Sequence, residues 1–132
     1  MGGTAVPINI LVVDDSAMMR ALIRRALRLS GANVLVSEAS NGREALTILE
    51  TERIDAVFTD LKMPVMTGTE LLREMARRDW SHIKRVVVST DGSDARREQV
   101  RDLKVCHYLS KPFAPEMFRD VLNEVCPENT AV

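Results

Sequence analysis

Two stretches of this chain, Ile10-Leu11-Val12-Val13 and Val86-Val87-Val88, are apolar without a break and rich in β-branched residues. A strand with one wet face alternates apolar with polar, so an unbroken run marks a strand covered on both faces, as in a parallel sheet. The two stretches belong to the runs Ile8–Val13 and Arg85–Ser89, and Asn33–Glu38, Ala56–Thr59 and Cys106–Ser110 complete a set of five short candidate strands. Segments with helical spacing separate them. Met19, Leu22, Ile23, Ala26 and Leu27 follow an i, i+3, i+4, i+7, i+8 pattern. Ala45, Ile48 and Leu49 give a shorter version, as do Leu71, Leu72, Met75 and Ala76. Met117, Phe118, Val121, Leu122 and Val125 make the last helix, with Pro115 suited to its first turn. Ser93–Leu103 is mostly charged and is predicted as a helix with Ala95, Val100 and Leu103 on its inner side. Strict alternation of strand and helix implies an α/β fold, with a doubly wound five-stranded parallel sheet and helices on both faces.

The 132 residues suit one domain over 1–132, with a core about 8–126 and frayed ends at Met1–Pro7 and Pro127–Val132. A net charge of −1 gives no overall field to attract nucleic acid or an anionic membrane, so no direct nucleic-acid binding is expected. Arg24, Arg25 and Arg28, Arg77 and Arg78, and Arg96, Arg97 and Arg101 have acidic residues among them and read as solvated helix faces. Cys106 and Cys126 form no metal-binding spacing with His82 or His107 and are expected as buried free thiols. Without a basic leader segment or an apolar run of ~20 residues, the expected location is cytoplasmic, with no membrane partner.

In a doubly wound sheet, ligands bind beyond the carboxyl ends of the strands. The first strand is followed by Asp14-Asp15, the third by Asp60, the fourth ends in Ser89-Thr90, and the fifth leads into Lys111-Pro112. Each has a bland explanation. Asp14, Asp15 and Ser16 could cap a helix, Asp60 could open a turn, Ser89 and Thr90 could cap the next helix, and Lys111 could be solvated. Together they put three carboxylates, a hydroxyl and an ammonium on one sheet edge, and adjacent carboxylates repel unless a cation holds them. The hard, oxygen-seeking ion expected there is Mg²⁺. A carboxylate can accept a phosphoryl group to form an acyl phosphate, with metal and lysine balancing the phosphoryl charge.

The segments Leu11-Val12-Val13-Asp14-Asp15-Ser16, Asp60-Leu61-Lys62-Met63-Pro64, Val86–Thr90 and Lys111-Pro112-Phe113 resemble, in order, the four signature segments of bacterial response-regulator receiver domains. The likeness spans roughly residues 8–125, and Val13–Arg20 is most similar to the chemotaxis branch. It implies the flavodoxin-like strand order 2-1-3-4-5. It implies Asp60 as phosphoacceptor, with Mg²⁺ held by Asp14, Asp15, Asp60 and the Lys62 backbone carbonyl. Lys111 is the implied phosphate-binding lysine, Ser89 and Tyr108 the switch pair, and Lys111–Pro112 a cis peptide bond. The implied partners are a sensor histidine kinase or phosphotransfer protein and a downstream target docking on the fourth helix, fifth strand and fifth helix. The resemblance also admits a homodimer, and either a stand-alone receiver or a domain of a longer regulator.

Three departures from the family pattern stand out. Thr67-Gly68 replaces Asp-Gly and is expected to shape a loop. Thr90 replaces a small residue after the switch hydroxyl and is expected to crowd the site. Leu103-Lys104-Val105-Cys106-His107 replaces Ala-Gly-Ala before the last strand. Lys62 and Asp91 flank the acceptor on neighbouring loops, where either an ion pair forms a partial lid over it or both side chains point to solvent. His107 reads as a satisfied core or edge histidine, and Trp80 as packing on the third helix. Two other classes are less well matched. A haloacid-dehalogenase-like phosphatase would carry its nucleophile on the first strand and a carboxylate at position 62. A flavin module would need aromatic walls, but only 4% of residues are aromatic.

Overall fold

The computed structural model describes residues 6–125. The expected frayed ends lie almost wholly outside them, as does Cys126. Strands β1 (Ile8–Val13), β2 (Val34–Ala39), β3 (Ala56–Thr59), β4 (Lys84–Ser89) and β5 (His107–Ser110) form one parallel sheet of order β2-β1-β3-β4-β5. The five expected strands are all present, three of them with ends shifted by one residue. The three inner strands are the ones whose apolar runs are buried: Leu11, Val12 and Val13, Ala56, Val57 and Phe58, and Val86, Val87 and Val88 are all at most 1% exposed. Edge strands β2 and β5 are only half covered.

Helices α1 (Ala17–Leu29) and α5 (Pro115–Val125) cover one face. Ile23, Ala26, Leu27, Phe118, Val121 and Leu122 pack there on Ile10, Val12, Phe58 and Val86. Phe118 stacks on Phe58 at 5.7 Å between ring centres and meets Phe113 edge-on at 4.8 Å. Helices α2 (Gly42–Thr51) and α3 (Gly68–Arg77) cover the other face over Leu11, Val57 and Val87. Leu22 and Met117, expected on inner faces, are 47% and 41% exposed, and Leu22 borders the gap between α1 and the loop after β5.

The charged segment before β5 is not one helix. It divides into α4 (Asp94–Gln99), which buries no residue, and a 3₁₀ turn at Arg101–Leu103. Val100, 2% exposed, turns into the core between them, and Lys104 adopts φ +60° beyond them. Ala95, expected inside, is exposed. A segment with so few apolar anchors is held by its ends, and Ser93 caps α4 by accepting the Arg96 amide.

Candidate functional site

The register Val13↔Thr59 between β1 and β3 sets Asp14 and Asp60 side by side just past the strand ends. The Asp14 amide donates to the Ala39 carbonyl and the Asp60 amide to the Val13 carbonyl, so both backbones continue the sheet. Asp14 is 1% exposed, Asp60 half-buried and Asp15 exposed. Ser16 caps α1 by accepting the Met19 amide, and this leaves the aspartates free of that role.

On the far side, the Lys111 amide donates to the Ser89 carbonyl, and a cis Lys111–Pro112 bond follows. The Lys111 ammonium reaches back across the sheet edge to Asp14 Oδ2 at 2.9 Å and Asp60 Oδ2 at 3.2 Å. The remaining oxygens accept backbone amides: Asp14 Oδ1 from Ser16 and Asp60 Oδ1 from Leu61. Burial pushes the Lys111 pKa down, but the Asp14 hydrogen bond and the charges of Asp60 and Asp14 outweigh it, so the net shift is upward. The ammonium is therefore fully protonated at neutral pH.

One carboxylate oxygen from each of Asp14, Asp15 and Asp60 lies within 4.8 Å of the others. Three carboxylates against one ammonium leave an excess of two negative charges. An all-oxygen donor set of that charge, open to water through exposed Asp15, fits a hard divalent cation such as Mg²⁺. Lys62 lies two residues past Asp60 with its side chain exposed.

Gly68 does more than shape a loop. It is the first residue of α3, and a Cβ there would lie 1.8 Å from the Asp60 carbonyl oxygen. The Gly68 amide donates to the Leu61 carbonyl, and Thr67 with Glu70 makes a reciprocal cap at this helix start. The N-terminus of α3 is thus pressed against the backbone that carries Asp60. The motif Thr67-Gly68 was visible in the sequence, but the close approach was not, because it depends on the fold.

Ser89 ends β4 at 2% exposure, and its Oγ accepts the Asp91 amide at 3.1 Å. Thr90, expected to crowd the site, is exposed. Tyr108 is half-buried on β5, and its hydroxyl donates to the Asp91 carbonyl. Burial raises the Tyr108 pKa, with the Ser89 hydroxyl acting in the opposite sense.

In place of a Lys62–Asp91 lid there is a local pair. Asp91 Oδ2 meets Arg96 Nε at 3.3 Å, and Oδ1 accepts the Ser93 amide at 3.0 Å. These Ser93 bonds, and then Arg96, hold the Asp91 carboxyl down at about 2. Arg96 lies only five residues on, in the first turn of the helix that Ser93 caps, and so is within reach of Asp91. His107 is satisfied, with Nε2 2.7 Å from Glu124. Cys106, expected to be buried, is exposed where the chain enters the half-covered edge strand. Trp80 packs on the α2–α3 side of the core, with the Arg78 guanidinium 4.8 Å above its ring.

Two arginines were not legible as structural residues. Arg20 donates to the Asp14 carbonyl at 2.7 Å and pairs with Glu38 at 2.9 Å, bracing the first carboxylate from behind. Arg85 is 2% exposed, and its guanidinium donates to the carbonyls of Trp80 and Leu103, with no partner for Nε among the described residues. Beside Lys111 an apolar groove of about 350 Å³ opens between α1 and the loop after β5, lined by Met19, Leu22, Pro112, Phe113 and Pro115. No helix among the described residues is long and apolar enough to cross a membrane.

The response regulator receiver domain family matches residues 10–123. The chain is 35% identical over 129 residues to the response regulator MprA of Mycolicibacterium vanbaalenii, covering 95% of this chain and 54% of that protein. It is 35% identical over 120 residues to a chemotaxis protein CheY homolog of Campylobacter jejuni, covering 89% of this chain and 91% of that one. The chain thus spans about half of the first relative and nearly all of the second. Among solved structures, the chemotaxis response regulator CheY4 of Vibrio cholerae aligns with a TM-score of 0.80 and 29% identity, over 91% of this chain and 99% of that one.

Proposed function

Because the chain belongs to the response regulator receiver domain family, we propose that Asp60 accepts a phosphoryl group from the phosphohistidine of a sensor kinase or phosphotransfer protein, in a Mg²⁺-dependent reaction. The observation that carries this reading is the Lys111 ammonium set between Asp14 and Asp60, with Asp15 beside them.

An Asp60 carboxylate oxygen attacks phosphorus, the phosphorus–nitrogen bond of the donor breaks, and the imidazole leaves and takes up a proton. The Leu61 amide, bonded to Oδ1, fixes the orientation of the nucleophile. Lys111 already touches the attacking carboxylate, so it needs little movement to meet a phosphoryl oxygen, and its raised pKa keeps it cationic for that task. Asp14, Asp15, Asp60 and the Lys62 carbonyl would hold Mg²⁺, which supplies neutralisation of phosphoryl charge. The groove beside Lys111 offers the donor an apolar resting place next to the acceptor. Ser89 and Tyr108 then pass the new charge to the face made by α4, β5 and α5, where a downstream target docks. The protein works in the cytoplasm as a switch that catalyses its own phosphorylation and its own slow dephosphorylation, and it is not an enzyme dedicated to an external substrate.

The test is incubation with Mg²⁺ and acetyl phosphate. Wild type gains one phosphoryl group and Asp60→Asn gains none, because an amide is not a nucleophile here. Labelling of Asp60→Asn at the wild-type rate, or many turnovers of donor per protein, would overturn the reading.

A further inference from the structure

Of the three clustered carboxylates, Asp14 and Asp60 each bond Lys111 and a backbone amide. Asp15 makes no hydrogen bond or ion pair among the described residues. Its place is set by the peptide that joins it to Asp14. A peptide unit is planar, so fixing the Asp14 carbonyl fixes the plane from which Asp15 departs. That carbonyl lies one residue past β1, and its donor among the described residues is Arg20 Nη1 at 2.7 Å. Arg20 stands in the first turns of α1, where side chains lean back toward the helix start, and this lets its guanidinium reach the end of β1. Its Nε meets Glu38 at 2.9 Å, and Glu38 stands on β2 opposite Val12. Arg24, one turn further along α1, meets the other Glu38 oxygen. One planar fork, only 18% exposed, thus ties β2 to the Asp14–Asp15 peptide.

We propose that Arg20 is a positioning residue for the divalent-cation site: by holding the Asp14 carbonyl it aims Asp15 at the ion, and Glu38 holds the guanidinium in turn. This rests on the reading of Asp14, Asp15 and Asp60 as a Mg²⁺ site. Arg20 acts on a bound cation in two ways of opposite sign. Its charge repels the cation, so by Coulomb's law alone its removal tightens binding. Its hydrogen bond orders the peptide that carries Asp15, so by orientation its removal loosens binding. Orientation wins, because Glu38 already balances the charge, whereas no other group among the described residues bonds that carbonyl. Groups that orient metal ligands carry effects of about 10- to 100-fold on affinity. Arg20 orients one ligand of the set, so the lower end, about tenfold, is expected.

The experiment is a Mg²⁺ titration without any phosphodonor, followed by the amide NMR signals of Asp15 and Asp60. It compares wild type, Arg20→Met, Arg20→Lys, Arg24→Met and Arg24→Lys, with urea unfolding of each metal-free protein alongside. Arg24→Met is the control, since it removes the same charge and a like ion pair with Glu38 but no bond to the Asp14 carbonyl. Both methionine variants lose stability, so unfolding alone does not separate them. Arg20→Met binds Mg²⁺ about tenfold more weakly than wild type, and Arg24→Met binds it no more weakly than wild type. Arg20→Lys keeps a donor for the carbonyl but not the planar pair of nitrogens, and its affinity falls between Arg20→Met and wild type. Arg20→Met that binds Mg²⁺ as tightly as Arg24→Met overturns the inference alone. If Arg20→Met does not fold, Arg20→Lys is set against Arg24→Lys, and equal affinities overturn it. A wild type that takes up no Mg²⁺ overturns the reading of the site as well.

Discussion

Replacing Gly68 by alanine places a methyl group where the Asp60 carbonyl stands. The gap of 1.8 Å must open to the 3.0 Å that real Cβ contacts respect, a shift of about 1.2 Å, and the obstacle is backbone on the end of a buried strand. Two effects compete. Alanine is the better helix former by at most ~1 kcal/mol, and less at a first helical position. Forcing a methyl into packed structure costs ~1–3 kcal/mol, toward the upper end where no flexible side chain can yield. The clash wins, and a net loss of about 2 kcal/mol is expected, lowering the melting temperature by roughly 6–10 °C. A misplacement of ~1 Å at a reacting atom can slow a reaction by ~100-fold, so labelling by acetyl phosphate should slow far more than the stability loss implies. Thr67→Ala is the control. It removes the α3 cap at a cost of ~1 kcal/mol but leaves the Asp60 carbonyl where it is, so it should label normally. Thermal unfolding by circular dichroism and single-turnover labelling read the two effects separately. Gly68→Ala that melts within a degree of wild type and labels at the wild-type rate would refute the reasoning.

Asp14→Ala with Asp15→Ala should abolish Mg²⁺ binding by calorimetry. Because Asp14 also holds Lys111 and the Ser16 amide, the pair should lose ~1–3 kcal/mol of stability despite relieving carboxylate crowding. Lys111→Met should cost about 3 kcal/mol in urea unfolding at pH 8, since it leaves buried Asp14 without a cation. The Lys111 pKa is raised by folding, so its contribution is complete below the unfolded value of ~10.4 and is lost as pH climbs through the higher folded value. The stability gap between wild type and Lys111→Met should therefore hold steady to about pH 10 and narrow above it. Arg85→Ala should cost ~2–4 kcal/mol while sparing labelling, because it empties a buried site and strands the Trp80 and Leu103 carbonyls far from Asp60. A loss below about 0.5 kcal/mol would show that water serves those carbonyls equally well.

What the sequence made legible follows from how local each signal is. Continuous β-branched runs told of strands covered on both faces, because burial of β1, β3 and β4 requires apolar residues at every position. The residues at the strand ends were legible for the same reason, since topology alone brings them to one edge. The short α4 was not, because a segment that buries nothing has no periodicity to announce where it stops. Arg85 sat within an apolar run and gave no sign of burial, as its acceptors are carbonyls 5 and 18 residues away. A Lys62 partner for Asp91 was one of two readings from the proximity of two loops, whereas Arg96 reaches it within its own turn. Cys106 was taken as buried on its residue type, and the open edge beside β5 decided otherwise.

The lateral order β1-β3-β4-β5 has a further consequence. From the strand that carries Asp60 to the half-covered strand that carries Tyr108 is two strand spacings, roughly 10 Å. That is about one screening length at moderate ionic strength. A doubly charged group added at Asp60 is therefore felt at the sheet margin as a field as well as through touching atoms, and only the field is damped by added salt. The inner strands β3 and β4 are almost wholly buried while β5 is only half covered, so under the proposed modification that field reaches the least covered part of the sheet beyond the acceptor.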